Sequence, residues 1–346
     1  MGAGIMTTVS TPLRAGNDLL SRYAECMLWL ARYMERIENL ARLIDVTETF
    51  VRTGSTANGW QSIIEINADS ERFASYSTTI NAESVINFYV SARDNPNSIV
   101  SLAHAARENA RAVRPLISTE MWVQLNMFTN FIRSLSPEHA RQNQISALCA
   151  RIKRECQTQA GITDGTLYRD QAWHFHMIGR SLERADQATR LIDIKYHTLL
   201  RPGAMVGSPV DISQWTAVLR AAAGYHAFRR LLPRDLTPGT VVGFLLKNDS
   251  FPRSVSTALR QLALSLSALR TDYGLRQAAP IIERVHGVRA ILDGQTAQQI
   301  LIRGLHEFMD WVQVELQGVQ TDIATAFWPH EAAAAPLPTG QSQSQS

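Results

Sequence analysis

Across residues 29–46 the apolar positions recur at helical spacing. At about 100° per residue, Leu30, Met34, Ile37, Leu40, Ala41 and Ile44 fall on one continuous stripe, with Arg32, Glu35, Arg36, Asn39, Arg42 and Asp45 on the rest of the wheel. The pattern predicts an amphipathic helix from a cap at Asn17 or Asp18 to about Arg52. It then recurs. From Trp29 to Met177 is an offset of 148, and residues 177–194 match 29–46 at seven of 18 positions. These are Arg32/Arg180, Glu35/Glu183, Arg36/Arg184, Arg42/Arg190, Leu43/Leu191, Ile44/Ile192 and Asp45/Asp193. Five of the seven are charged, whereas a repeated core would copy apolar residues first. Recurrent charge points to a partly buried polar network where the two copies meet. The competing reading is a solvated face laced with Arg32–Glu35, Glu38–Arg42 and Arg42–Asp45, pairs worth only about 0.2–0.5 kcal/mol each.

Similar reasoning predicts helices over 60–76, 85–92, 96–114, 118–134, 136–160, 169–200, 212–232, 241–247, 252–269, 276–292 and 296–327. Asn95 is placed as an N-cap with Pro96 at the first helical position. Tight loops are expected at 53–59, 161–166 and 201–209. Further echoes bind the two parts of the chain. Val85-Ile86-Asn87-Phe88 answers to Val241-Val242-Gly243-Phe244, and Pro96-Asn97-Ser98-Ile99 to Pro252-Arg253-Ser254-Val255, both at an offset of 156; Trp60 answers to Trp215 at 155. The expected fold is all-α: a large helical bundle of two tandem, pseudo-twofold-related halves, 18–160 and 161–328, packed as one body. A flexible arm is expected at 1–17 and a disordered tail at 329–346, where Ala and Pro give way to Gln-Ser repeats.

Composition narrows the function. A net charge of +3 is too small to make nucleic acid the default partner. Among 34 basic residues only Lys153, Lys195 and Lys247 are lysines, so Schiff-base chemistry has few candidates. Cys26, Cys149 and Cys156 form no CxxC pair and fit a reducing compartment. With no signal peptide and no apolar run long enough to span a membrane, a cytoplasmic location is expected.

No metal or cofactor is expected. One Glu-x-x-His spacing, Glu283–His286, has no second to join it, and His174 and His176 point apart on one helix. Nucleotide, Gly-x-Ser-x-Gly and zincin motifs are absent. Arginine and carboxylate remain as the candidate binding set: Arg32, Arg36, Arg42, Asp45, Arg180, Arg184, Asp186, Arg190 and Asp193, with Asp164, Arg169 and Asp170 from the neighbouring loop. Glu35 or Glu183 could serve as a general base, although an adjacent arginine lowers a carboxylate's pKa and weakens it as a base.

On these residues the sequence resembles the bacterial alpha-E domain family. The likeness runs through Leu20-Ser21-Arg22, Trp29-Leu30-Ala31-Arg32-Tyr33-Met34-Glu35-Arg36, the Asn95-Pro96-x-Ser98-Ile99 turn and Ala106-Arg107-Glu108-Asn109-Ala110-Arg111. It continues at Thr163-Asp164-Gly165-Thr166, Arg169-Asp170, Trp173-His174-Phe175, Gly179-Arg180, Glu183-Arg184-Ala185-Asp186 and Phe251-Pro252-Arg253-Ser254, covering about 19–325. Ala31 stands where the family usually has Gly, and Gln171 where an acidic residue is common. The resemblance implies an all-helical protein associated with circularly permuted ATP-grasp ligases and transglutaminase-like peptidases. It implies a role in making or processing a peptide or amide-linked product, as catalyst, partner or scaffold. The absence of nucleophile, metal and nucleotide motifs beside the repeated Arg/Glu points to a non-catalytic partner binding the ligase, an acidic peptide or a small anion through its arginine-bearing faces. The alternatives are an enzyme using Glu35 or Glu183, and a purely structural scaffold.

Overall fold

The computed structural model describes residues 19–52, 59–135, 144–199 and 208–328. Every regular element among them is helical. The first part of the chain forms α1 (Ser21–Arg52), α2 (Gly59–Ile66), α3 (Ser70–Tyr76), α4 (Ala82–Val90), α5 (Ile99–Ala112), α6 (Thr119–Arg133) and α7 (Ile145–Thr166). Then come α8 (Gln171–Leu199), α9 (Pro209–Ala221), α10 (Tyr225–Leu231), α11 (Pro238–Lys247), α12 (Val255–Thr271), a 3-10 turn (Arg276–Ala278), α13 (Ala279–Asp293), α14 (Ala297–Arg303) and α15 (Leu305–Phe327).

The two longest helices, α1 and α8, lie against each other. Around α1 pack α5 and α7, bridged by α6; around α8 pack α12 and α15, bridged by α13. The apolar stripe of α1 is buried throughout, and Ile178, Leu182, Ala185 and Ile192 of α8 join it in the core. Close approach is set by Gly179: a Cβ there would lie 2.1 Å from the Leu28 carbonyl oxygen. A larger residue would force the helices apart.

Element ends depart from the sequence reading in informative ways. The helices expected at 60–76 and 212–232 are each broken, with Ala68 (φ 53°) and Ala223 (φ 58°) in the left-handed region. Both breaks use the same bonds. Ala68 N–H donates to the Glu65 carbonyl and Asp69 N–H to that of Ile64; Ala223 N–H donates to Arg220 and Gly224 N–H to Leu219. Glycine usually takes such a position, so alanine, a strong helix former, conceals the stop. Its strain of about 1–2 kcal/mol is opposed by the burial of Phe73 and Phe228 just beyond.

The loop expected at 161–166 is helix, the end of α7, so the boundary drawn at 160/161 falls inside an element. Thr163 and Thr166 return their hydroxyls to the carbonyls of Gln159 and Ile162, at 2.8 and 2.7 Å, and so stay within the helix. Asn95 is not the cap of α5. Its amide donates to the Phe88 carbonyl and its oxygen accepts from Asn97 N–H, while Ser98 caps the helix. Gly304, at φ 127°, separates α14 from α15 where one helix was expected. The helix expected from 136 is described from Ile145. The cap at Asn17 or Asp18, the arm, the tail and much of the 53–59 and 201–209 loops lie outside the described residues.

Candidate functional site

Charged residues of α1 and α8 meet across the helix pair, and they are buried. Glu183 is fully enclosed. Its carboxylate accepts from Arg32 Nε at 2.9 Å, from Arg36 Nε and Nη2 at 2.6 and 2.9 Å, and from Gln187 Nε2 at 3.2 Å. Burial alone would push this carboxyl up, but the guanidinium groups of Arg36 and Arg32 outweigh it and hold it at about 2. Arg32 also donates to Gln320 of α15 and lies over the Trp29 ring, 4.8 Å from its centroid.

Glu35 answers from the other helix. Arg184 Nε stands 3.0 Å from its Oε1, at ion-pair distance but without hydrogen-bond alignment. Arg253, just before α12, donates Nη1 to the same oxygen at 2.6 Å and to Asn39 Oδ1 at 2.9 Å. Its Nη2 lies 3.0 Å from Glu38, which also holds Arg42 at 2.6 Å. Against the opposing effect of burial, Arg253 and Arg184 hold the Glu35 carboxyl below its ordinary value. Arg36–Glu183 and Arg184–Glu35 are thus reciprocal: the Glu of each helix takes the Arg following the Glu of the other.

Around this centre the pairing is less even. Arg190 binds Asp186 at 2.8 Å within α8. Arg180, which matches Arg32 at the 148-residue offset, pairs with half-exposed Asp164 at 3.3 Å rather than with Glu35. Burial and the neighbouring Arg184 both lower its pKa. Seven guanidinium groups, of Arg32, Arg36, Arg42, Arg180, Arg184, Arg190 and Arg253, therefore meet five carboxylates, of Glu35, Glu38, Glu183, Asp164 and Asp186.

Several expected partners differ. Arg32, Glu35 and Asp45 find partners on other elements, because buried α1 has neighbours on most sides, while Arg42 keeps Glu38 of its own helix. Asp45 is held by Lys153 of α7 at 2.6 Å, and Asp193 by His306 of α15 at 2.7 Å. Arg169 stands over Trp173, and Asp170 caps α8 by accepting from Ala172 N–H at 2.9 Å, so neither joins the centre. Sequence reasoning named Arg253 in an echoed turn and in a stretch carrying the family resemblance, but not as a site residue; its place opposite Asn97 at the 156 offset was the available signal.

Two lesser features flank the site. Beside Glu35, a cavity is lined by Cys156, Gln159, Thr163 and His176, where Gln159 Oε1 and His176 Nδ1 lack partners. Burial lowers His176 to about 3, and desolvation raises Cys156 well above its usual value, so thiol and imidazole both stay neutral. Asp193, His306 and Asp310 bring ligand atoms within 4.8 Å of one another, a possible cation set that sequence spacing did not disclose.

These features define a class: an all-helical protein centred on two helices that exchange Glu-Arg contacts across a buried interface. The family comparison agrees. A model described as "a predicted alpha-helical domain with a conserved ER motif" matches residues 19–328, and the chain belongs to this Alpha-E family. Of its four Glu-Arg dipeptides, Glu35-Arg36 and Glu183-Arg184 form the reciprocal centre, while Glu71-Arg72 and Glu283-Arg284 lie elsewhere. The chain is similar to uncharacterised proteins of Mycobacterium bovis and Mycobacterium tuberculosis, each 22% identical over 324 residues. The match covers 87% of this chain but 36% of each relative, so the chain spans about a third of their length. No solved structure matches it. No helix among the described residues is long and apolar enough to cross a membrane.

Proposed function

We propose that this chain is a non-catalytic helical module serving an amide-forming or peptide-processing enzyme, and that it binds an anionic ligand or partner at the open edge of its Arg/Glu centre. The observation carrying this reading is that seven guanidinium groups meet five carboxylates in the ion-pair cluster that α1 and α8 form with Asp164 of α7 and Arg253, with Arg36 and Arg184 each about one-fifth exposed. A centre built only to join two helices would be expected to balance its charges. The excess leaves N–H donors and positive potential for an anion. The general-base alternative is disfavoured because both glutamates are held below the ordinary carboxylate value, the wrong direction for accepting a proton near neutral pH. The much longer relatives support a role beside other domains, and the family resemblance supplies the partner proposed: a circularly permuted ATP-grasp protein, with a transglutaminase-like peptidase next.

We also propose that the two parts of the chain are a tandem duplication related by an approximate twofold. Its support is recurrence. The left-handed alanines are 155 apart, Phe73 and Phe228 likewise, and the capping boxes Asn81/Ser84 and Thr237/Thr240 are 156 apart, as are the caps Ser98 and Ser254.

The test replaces Arg36 and Arg184 with Gln together. Glu183 keeps Arg32 and Glu35 keeps Arg253, so the double variant should fold with a lowered Tm. Capture of the ATP-grasp protein should weaken, and wild-type capture should fall between low and moderate salt. Undiminished capture by the folded variant at both salts would reject an anionic-partner role and leave the scaffold reading.

A further inference from the structure

The far end of α8 meets the start of α15 in a cluster of a different kind. Asp193 stands ten residues beyond Glu183, about 15 Å along the helix, clear of the arginine-rich centre. Gly304, at φ 127°, ends α14 and turns the chain so that α15 begins at Leu305. His306 is thereby set in the first turn of α15, with Nδ1 2.7 Å from Asp193 Oδ1. One turn later Asp310 comes to the same imidazole, its Oδ2 3.9 Å from Nε2. Glu307, also in that first turn, lies over Gly304 instead.

The matching place near α1 shows what is unusual here. Asp193 matches Asp45 at the 148-residue offset, and Asp45 meets a cation of the chain itself, Lys153 of α7, whose Nζ is 2.6 Å away. At Asp193 the neighbouring helix brings an imidazole and a second carboxylate in place of an ammonium. His306 and Asp310 share one face of α15 at i, i+4, and Asp193 comes from the facing helix, 113 residues away from His306 in sequence. One ligand atom from each of the three lies within 4.8 Å of the others. An ion with bonds of about 2.0–2.2 Å holds its donors roughly 3.3 Å apart, so the three need to close only slightly. Asp310 is 63% exposed and can swing inward, whereas Asp193, at 15%, is held in place.

We propose that Asp193, His306 and Asp310 hold a divalent transition-metal ion, with Zn²⁺ the match for the donor set, and that water completes its coordination on the solvent side. The imidazole disfavours Mg²⁺ and Ca²⁺, which take oxygen ligands, and the lack of a thiolate or thioether disfavours soft Cu(I). The ion does for Asp193 what Lys153 does for Asp45, and it fastens α15 to α8. Nothing in this site depends on the anion-binding reading of the Arg/Glu centre.

The test is calorimetric titration of Zn²⁺ into the full chain after treatment with EDTA. One ion should bind per chain with Kd of about 10 µM or tighter, and a large excess of Mg²⁺ should not displace it. Asp310→Asn, at an exposed position, should fold as wild type does and weaken binding at least about tenfold; His306→Gln should do the same. Nitrogen NMR of labelled histidine should show the His306 imidazole resonance moving as Zn²⁺ is added to wild type. No saturable binding below about 1 mM, wild-type affinity in the folded Asp310→Asn variant, ready displacement by Mg²⁺, or an unmoved His306 resonance would overturn the site and leave a His306–Asp193 ion pair only.

Discussion

At the scale of single residues, the decisive fact is that Glu183 is fully buried and ionised between Arg32 and Arg36. Removing one guanidinium leaves a buried charge short of its counterpart, a loss of order 3–5 kcal/mol when nothing compensates. Arg36 does compensate here, so Arg32→Ala should cost about 3 kcal/mol, while Arg22→Ala, at an exposed position, should cost under about 1 kcal/mol. Equal small losses in urea unfolding would put Arg32 among solvated pairs. The pH dependence has a definite sign. Glu183 is lowered from the ordinary 4.5 to about 2, so its contribution is complete above 4.5 and fades as pH falls toward 2. Wild type should therefore exceed Glu183→Gln in stability near neutrality by a margin that shrinks through that window; parallel curves would refute the shift. The repeated charges were legible in sequence. Their partners were not, because spacing on one helix offers Glu35 and Asp45 as readily as any remote group, and only the α1–α8 approach brings Glu183 to Arg32.

At the scale of elements, glycines separate packing from propensity. Gly179→Ala places its Cβ against the Leu28 backbone, where neither helix can yield locally, and should lose about 2–3 kcal/mol. Gly161→Ala, in α7 with open space around it, should gain up to about 1 kcal/mol. Similar thermal shifts for both would mean that α1 and α8 are not in close contact there. Further along, the outer ends of the central helices are tied differently. Asp45 meets Lys153, but Asp193 meets His306, whose pKa its hydrogen bond to Asp193 raises above the ordinary 6.5 despite opposing burial. The histidine's contribution is full below 6.5 and is lost as pH rises through its raised value. Hydrogen exchange near His306 in α15 should accelerate with pH, after correction for intrinsic rates, more than exchange near Lys153 in α7. Equal protection changes would deny the contact a role. Apolar spacing revealed which segments are helices but misjudged their ends: Ala68 and Ala223 stop helices with a residue that favours them, and Thr163 and Thr166 continue one through a stretch rich in loop formers.

At the scale of the whole molecule, the question is whether the two parts of the chain fold as one body. The described structure offers a reason that they should: Glu35 in the first part draws Arg184 and Arg253 from the second, and Glu183 draws Arg32 and Arg36 from the first. Neither part alone satisfies its own buried carboxylate. Separation would also expose the α1 and α8 faces that abut around Gly179 and Leu28. Unfolding should accordingly be a single transition, with the calorimetric enthalpy equal to the van't Hoff value. Leu102→Ala in α5 and Leu262→Ala in α12 each remove a buried leucine far along the chain from the other. Each should cost about 2–5 kcal/mol, and each should lower the same midpoint rather than split the curve. Two resolved transitions, with each variant moving its own, would show halves that fold independently, and the α1–α8 contact would then be a docking surface between finished domains.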